Sequence, residues 1–447
     1  IMFLQTYGIS TSQCVRLVKK YGNETKRILE SDPYRLARDI ERIGFKTADK
    51  IARNLGFPNE SRERLEAGIL YAMQDLEEDG HTLVPARELI GAAVGLLDVE
   101  GETLAPVLRD LVGKGDLVAV VREDRHHYQL PATARAESRL AESLKRILDG
   151  PESLPAIKVE RALQWAQERA GFAFATEQGD AIRSALLHKV SILTGGPGTG
   201  KTTILRAVAD ILKAKKIRIL QASPTGRAAQ RLAESTGVPA ATIHRLLKMD
   251  PARGGFTHDD TNPLRCAFLI VDEASMLDTR LAAHLLRAVP APAHVLMVGD
   301  ANQLPSVGSG NVLHDLIRSG RFPVTRLSRI FRQSETSSIV SMAHAILEGA
   351  TRVPARANLA SEIQTEHDFH FITADSPEAC LKKLLLLCRD FIPSTYGVHP
   401  VRDIQVIAPM HKGVVGIQNL NTEMQRTLNP KEALDEALVV GFPEGEG

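Results

Sequence analysis

Residues 190–213 constrain this chain more than any other stretch. Positions 190–193 are an apolar run with strand character, 195–202 read G-x-x-x-x-G-K-T, and 204–213 carry apolar residues at helical spacing. Strand, glycine loop and helix in that order form a phosphate-binding loop, in which backbone N–H groups wrap phosphate oxygens at a helix N-terminus. Lys201 is placed to neutralise β- and γ-phosphates, and the Thr202 hydroxyl to ligate Mg²⁺. The expectation is a nucleoside triphosphate site built from Gly196, Pro197, Gly198, Thr199, Gly200, Lys201, Thr202 and Thr203, with a parallel α/β sheet behind it.

Two further apolar runs end in polar residues. Positions 266–273 read as a strand closing on Asp272 and Glu273, and 295–303 as a strand closing on Asp300 and Gln303. Ligands of such sheets bind at the carboxyl ends of the strands. Asp272 is therefore expected on Mg²⁺ and Glu273 as the acceptor of a proton from an attacking water. The Gln303 amide is placed to sense a γ-phosphate.

The segments 195–203, 222–229 (A-S-P-T-G-R-A-A), 242–246, 271–276 (V-D-E-A-S-M), 299–308 and 330–333 (I-F-R-Q) resemble the ordered motifs of superfamily-one helicases, in the wording of the RecD-like branch. The resemblance covers about 174–421. It implies two RecA-like P-loop motor domains and ATP-driven 5′→3′ translocation on single-stranded DNA with unwinding of duplex, work that belongs to DNA repair and recombination. It also implies site residues. Gln178 would read adenine through its amide, with a buried capping role as the alternative, and Arg332 would reach the γ-phosphate. Pro224, Thr225, Gly226, Arg227 and His244 would line the DNA path. Relatives carry a β-hairpin pin at the duplex junction where this chain has 248–262, a segment whose only aromatic, Phe256, would prop the pin or face the last base pair.

The N-terminal third has a different character. Positions 39–52 read helix, glycine turn at Gly44 and helix, with Thr47 placed to cap, and look like a helix-hairpin-helix module; 7–15 is a degenerate second copy. Residues 1–60 hold eleven Lys and Arg against seven Asp and Glu, an excess that permits DNA binding without demanding it. Positions 62–130 resemble a winged helix, with helices near 65–76, 86–97 and 104–112 ahead of a hairpin spanning 117–130. A helical connector at 136–148 and a proline-flanked linker at 151–155 lead to the motor. The division is 1–60, 61–150, 151–335 for the first motor domain and 336–447 for the second, with strands at 369–372 and 404–409.

Composition adds limits. The 447 residues suit about three domains, and the net charge of +1 leaves DNA affinity to local basic patches. Cys14, Cys266, Cys380 and Cys388 lack metal-ligand spacing, which points to a reducing cytoplasm, and no apolar run is long enough for a bilayer. The expected partners are single-stranded DNA, duplex junctions and single-strand binding protein, around a monomer using ATP and Mg²⁺. Two other readings remain open: a RecD-type motor subunit of a nuclease complex, and a nucleotide-switched DNA-binding module. The chain departs from the family pattern in lacking T-x-H-x-x-Q-G and A-x-T-R-A blocks, so the DNA grip of the second domain and a further γ-phosphate arginine have no assigned residues.

Overall fold

The helices Thr11–Tyr21, Thr25–Ser31, Arg35–Asp39 and Phe45–Asn54 open the chain. Cys14, Leu17, Leu29, Leu36 and Ile51 form their small shared core. The computed structural model describes residues 11–39, 44–250, 255–329, 338–347, 349–350 and 368–429, in two compact units that divide after Arg329. The expected copy at 7–15 and the end of the helix expected before Gly44 (40–43) thus lie wholly or partly outside the described residues. Thr47 is not the cap: Gly44 is extended at φ −81°, and its carbonyl already accepts the N–H groups of Thr47 and Ala48. The helix therefore begins at Phe45, with Thr47 inside its first turn.

A second core joins Tyr34, Phe45 and Ala48 to the helices Arg62–Glu78, Ala86–Leu97 and Gly101–Lys114. Beside them lie β1 (Val84–Pro85), β2 (Val118–Arg122) and β3 (Arg125–Gln129), an antiparallel sheet in the order β1-β3-β2. Glu123 and Asp124 connect β2 to β3 with φ of 51° and 59°, the two left-handed residues a tight hairpin turn requires. At the seam between the cores, Arg64 is 1% exposed. Its guanidinium donates to Asp49 Oδ1 at 2.7 Å and Oδ2 at 3.2 Å, and to the carbonyls of Asn59 at 2.7 Å and Leu97 at 2.9 Å. The Tyr34 hydroxyl donates to the same carboxylate at 2.8 Å. Burial would raise the Asp49 carboxyl, but the Arg64 and Tyr34 hydrogen bonds override it and hold the group below its ordinary value.

The helix Pro131–Leu148 then packs along Thr279–Ala288. Arg280 bonds Glu77 and Thr133, and the Gly310 N–H donates to Gly80 O at 3.0 Å. Gly310 sits at φ +93° against the Thr279 hydroxyl, leaving no room for a side chain. The proline-flanked linker is pinned, since Lys189 Nζ donates to the carbonyls of Pro151, Ala291 and Pro292 at 2.8–2.9 Å.

Behind the phosphate loop stands one parallel sheet of β4 (Val190–Gly195), β5 (Ile219–Ser223), β6 (Ala240–Thr242), β9 (Phe268–Val271), β10 (His294–Gly299) and β11 (Val324–Leu327). The small pair β7 (Met249–Asp250) and β8 (Gly255–Phe256) lies outside it, and the order is β11-β4-β10-β9-β5-β6. Alternate side chains feed opposite faces, as period-two geometry dictates. Val190, Ile192, Leu269, Val271, Val295 and Met297 pack on Thr279–Ala288 and Pro131–Leu148. Leu193, Phe268, Ile270, Leu296 and Val298 pack on Val159–Ala170, Thr176–Leu187 and Lys201–Ala214. Burying each such aliphatic side chain contributes roughly 1.5–3 kcal/mol.

The second unit contains the helices Ser338–Leu347, Pro377–Leu386, Ile392–Tyr396 and Ile417–Leu428, with a π turn at Leu387–Phe391. The strands expected at 369–372 and 404–409 are not formed there. Phe371 makes an isolated bridge, and 404–408 is irregular with Ile407 87% exposed. A parallel strand is held by neighbours, and neither segment pairs into a sheet among the described residues. The second motor domain expected over 336–447 is therefore represented there by helices. No helix among the described residues is long and apolar enough to cross a membrane.

Candidate functional site

β4 delivers the chain to the loop, and Gly198 and Gly200 then take φ of 78° and 87° before the helix Lys201–Ala214 begins. Only residues tolerant of the left-handed region turn the backbone this sharply, which brings the loop N–H groups to the mouth of a helix. The Thr199 hydroxyl donates to Gly196 O at 2.8 Å and fixes the loop from within. Lys201 Nζ folds back onto the loop, donating to Gly195 O and, at 3.0 Å, to Gly196 O.

The strand order sets the carboxylates around that ammonium. β10 pairs with both β4 and β9, so their carboxyl ends stand side by side. Burial pulls the Lys201 ammonium below its ordinary value, against the raising influence of Asp300, Glu273 and Asp272. Burial pushes the Asp272 carboxyl up to about 6; the Glu273 charge adds to this, while the Glu273 N–H and Lys201 oppose it. Glu273 itself sits at φ 54°, ψ 40°, a left-handed conformation that costs a non-glycine residue about 1–3 kcal/mol. Asp300 is 5% exposed and accepts the Asn302 N–H at 3.0 Å. Gln303 at the end of this turn is exposed.

The other expected residues fall into separate places. Gln178 is buried, and its Oε1 accepts the Ala175 N–H at 3.1 Å, closing the first turn of Thr176–Leu187. The capping alternative is realised here, and a bidentate adenine contact would require that bond to be exchanged. Thr202 and Thr203 border a cleft of ≈ 310 Å³ whose walls include Phe172, Phe174, Arg206 and Asp210. Thr225 caps Gly226–Thr236 by accepting the Ala228 N–H at 3.3 Å, while Pro224 is half-buried and Gly226 and Arg227 are exposed. His244 is exposed, 5.8 Å from the Phe256 ring. Phe256 packs partly buried on the core, 5.0 Å from His284, so in this structure it props the base of the β7–β8 pair. Residues 251–254 at the tip, and Arg332, lie outside the described residues.

One contact had no signal in the sequence. The Glu177 carboxylate accepts the Ser328 N–H at 2.9 Å and its hydroxyl at 2.5 Å, tying the helix that carries Gln178 to the residue after β11. These partners are too distant in the chain for any periodicity to join them.

The groups around Asp272 are the donors a metal ion would meet here. Asp272 offers a half-buried carboxylate beside Glu273 and Asp300, and the hydroxyls of Ser223 and Ser275, near Asp272 in sheet and sequence, are buried without a hydrogen-bond partner among the described residues. Oxygen-only groups around a carboxylate fit Mg²⁺ and its hydration shell.

Residues 1–83 match the family model described as the ATP-dependent RecD2 DNA helicase HHH domain, and residues 173–370 match the AAA domain model. Over 445 residues the chain is 33% identical to the ATP-dependent RecD2 DNA helicase of Deinococcus radiodurans, an alignment covering 96% of this chain and 58% of that protein. It is 38% identical over 205 residues to the RecBCD enzyme subunit RecD of Mycolicibacterium smegmatis, covering 40% of this chain and 36% of that subunit. A crystal structure of Pif1 helicase from Candida albicans aligns at 23% identity with a TM-score of 0.33, over 41% of this chain and 46% of that one. The chain thus spans little more than half the length of the first of these relatives. The helix-hairpin-helix match, the ATPase-domain match and the near full-length alignment meet on one group. The chain is thus similar, along almost its whole length, to a RecD-like helicase.

Proposed function

We propose that this chain is an ATP-driven DNA motor that moves 5′→3′ along single-stranded DNA and separates duplex. The observation that carries the reading is the convergence of Lys201, Asp272, Glu273 and Asp300 at the carboxyl ends of β4, β9 and β10. An arriving triphosphate exchanges the Lys201 contacts with Gly195 O and Gly196 O for contacts with its own oxygens, while the loop N–H groups cradle the phosphates. Glu273 accepts the proton of the attacking water, Gln303 orients at the γ-phosphate, and Arg332 adds positive charge there. Thr202 and Asp272 would hold Mg²⁺, which neutralises phosphate charge when bound. The cleft walled by Phe172 and Phe174 is of a size and character for the base, which Gln178 would read.

Pro224, Thr225, Gly226, Arg227 and His244 follow β5 and β6 and would contact DNA phosphates, which position a strand without reading its sequence. Polarity, duplex junctions as substrate and single-strand binding protein as partner rest on family resemblance. The match of 1–83 to the helix-hairpin-helix domain favours a free-standing motor over a subunit of a nuclease complex. A strand-displacement assay with 5′-tailed and 3′-tailed duplexes tests the reading. ATP-dependent displacement of the 5′-tailed substrate alone is expected, and displacement from 3′ tails, or ATP turnover indifferent to DNA, overturns it.

A further inference from the structure

On the sheet face opposite the phosphate-loop helix, Pro131–Leu148 and Thr279–Ala288 enclose a groove of ≈ 220 Å³. Four arginines line it, Arg135 and Arg139 from the first helix and Arg280 and Arg287 from the second, and no carboxylate does. Two of the four are answered from outside. Arg280 pairs with Glu77, and Arg287 with Asp260 at 2.5 Å and Asp259 at 3.6 Å. Arg135 and Arg139, one turn apart and both exposed, have no ion-pair partner among the described residues. His284 lines the groove as well, and its imidazole is held below the ordinary value by burial first and then by Arg287 and Arg139, opposed by Asp278. Burial is the larger cause, and the two arginines add a positive field to it.

The groove's position narrows its ligand. It lies away from the phosphate loop, has no glycine turn and is lined by alanine between its arginines, so nothing in it fits a nucleotide base. His284 joins it directly to the hairpin, because Phe256 at the base of β8 rests 5.0 Å from the His284 ring. A polyanion laid against the hairpin would therefore run into the groove. Guanidinium groups suit phosphate oxygens through paired N–H donors.

We propose that this groove holds the phosphate backbone of duplex DNA immediately ahead of the β7–β8 hairpin, an inference that rests on the DNA reading above. The duplex is the form of DNA that meets a separating hairpin first, whereas the single strand is assigned to the segments after β5 and β6. Arg135 and Arg139 are the contacts with charge to give.

The test is a salt titration of binding, by fluorescence anisotropy, with two probes: a forked duplex and a single-stranded oligonucleotide. The full chain is compared with Arg135→Gln/Arg139→Gln and with Arg135→Lys/Arg139→Lys. Each phosphate neutralised on duplex contributes about 0.9 to the slope of log affinity against log salt. The Gln pair should lower the slope on the forked duplex by roughly 2, with the slope on single-stranded oligonucleotide and DNA-stimulated ATP turnover unchanged. The Lys pair should keep the original slope. An unchanged duplex slope in the Gln pair overturns the groove. An equal loss on both probes overturns its assignment to duplex, and equal losses in the Gln and Lys pairs overturn an electrostatic role. A parent chain that binds neither probe overturns the DNA reading and the groove together, an outcome distinct from failure of the variants alone.

Discussion

Arg64 and Lys201 are both cations drawn away from water, and the chain treats them in opposite ways. Arg64 spends its donors on both oxygens of Asp49 and two carbonyls, and Tyr34 and Arg53 complete that carboxylate. Lys201 faces three carboxylates yet hydrogen-bonds only loop carbonyls, while burial pulls its own charge down and pushes Asp272 up. The first cluster is closed, since every polar atom has its partner and a further ligand has nothing to gain. The second is poised, with charges gathered and their strongest contacts unmade. Buried charge by itself therefore says little about function; the state of its hydrogen bonds separates a structural node from a site.

The largest effect should come from breaking the closed cluster. Arg64→Ala leaves the partly buried Asp49 with only the more exposed Arg53 as counter-charge and should lower the stability of the N-terminal region by roughly 3 kcal/mol, the lower end for a broken buried pair. Denaturant unfolding followed near Tyr34 measures this, and a loss below about 1 kcal/mol would reduce the node to an ordinary surface pair. In the poised cluster the response should fall on turnover. Lys201→Ala and Glu273→Gln should each slow ATP hydrolysis by about 10²–10³-fold with the unfolding midpoint nearly unmoved. Nucleotide binding should survive in Glu273→Gln, so an equal loss of binding and turnover there would take Glu273 out of proton transfer.

A smaller expected effect concerns the β7–β8 pair, which the family resemblance would make a pin. Replacing 250–255 by a short Gly-Ser turn removes the hairpin tip while keeping Phe256 in the core, and should reduce strand displacement but spare DNA-stimulated hydrolysis. Displacement at the parent rate makes the segment a plain loop. The gentlest probe is acid. The Asp49 carboxyl is depressed in the folded chain, so its contribution is fully present above the ordinary carboxylate value and fades as pH falls through the folded value. Stability of the N-terminal region should therefore drop below pH ~4, and Asp49→Asn should flatten that part of the profile.

How much could be read without coordinates followed the range of the forces involved. The phosphate loop was legible because its glycines, Lys201 and the following helix are contiguous, and the helix Ala86–Leu97 because its spacing is local. Arg64 was invisible as a node, since Asp49, Asn59 and Leu97 meet it only through packing. The capping of Ala175 by Gln178 was foreseen only as an alternative, because one amide can serve a helix end or a base. Phe256 is open in the sequence to a prop or a wedge, and its contact with His284, which supports the prop, joins residues that no local pattern links. At 404–409 an apolar run looked like a buried strand, and short apolar runs carry no period that distinguishes a strand from other conformations.

The order of the parallel sheet also governs how the chain comes into being. β4 is flanked by β10 and β11, both made long after it, whereas the helices from Thr11 to Lys114 and the β2–β3 hairpin contact near neighbours. Domains emerge from the ribosome N-terminus first, and contacts distant in sequence form late. The strand that carries the phosphate loop, apolar toward both faces, thus waits without hydrogen-bonding neighbours while the N-terminal region is already folded. Nascent chains arrested before Val295 should be cut by protease within 190–195 and spared before Leu130. Chains extended past Leu327 should resist at both places.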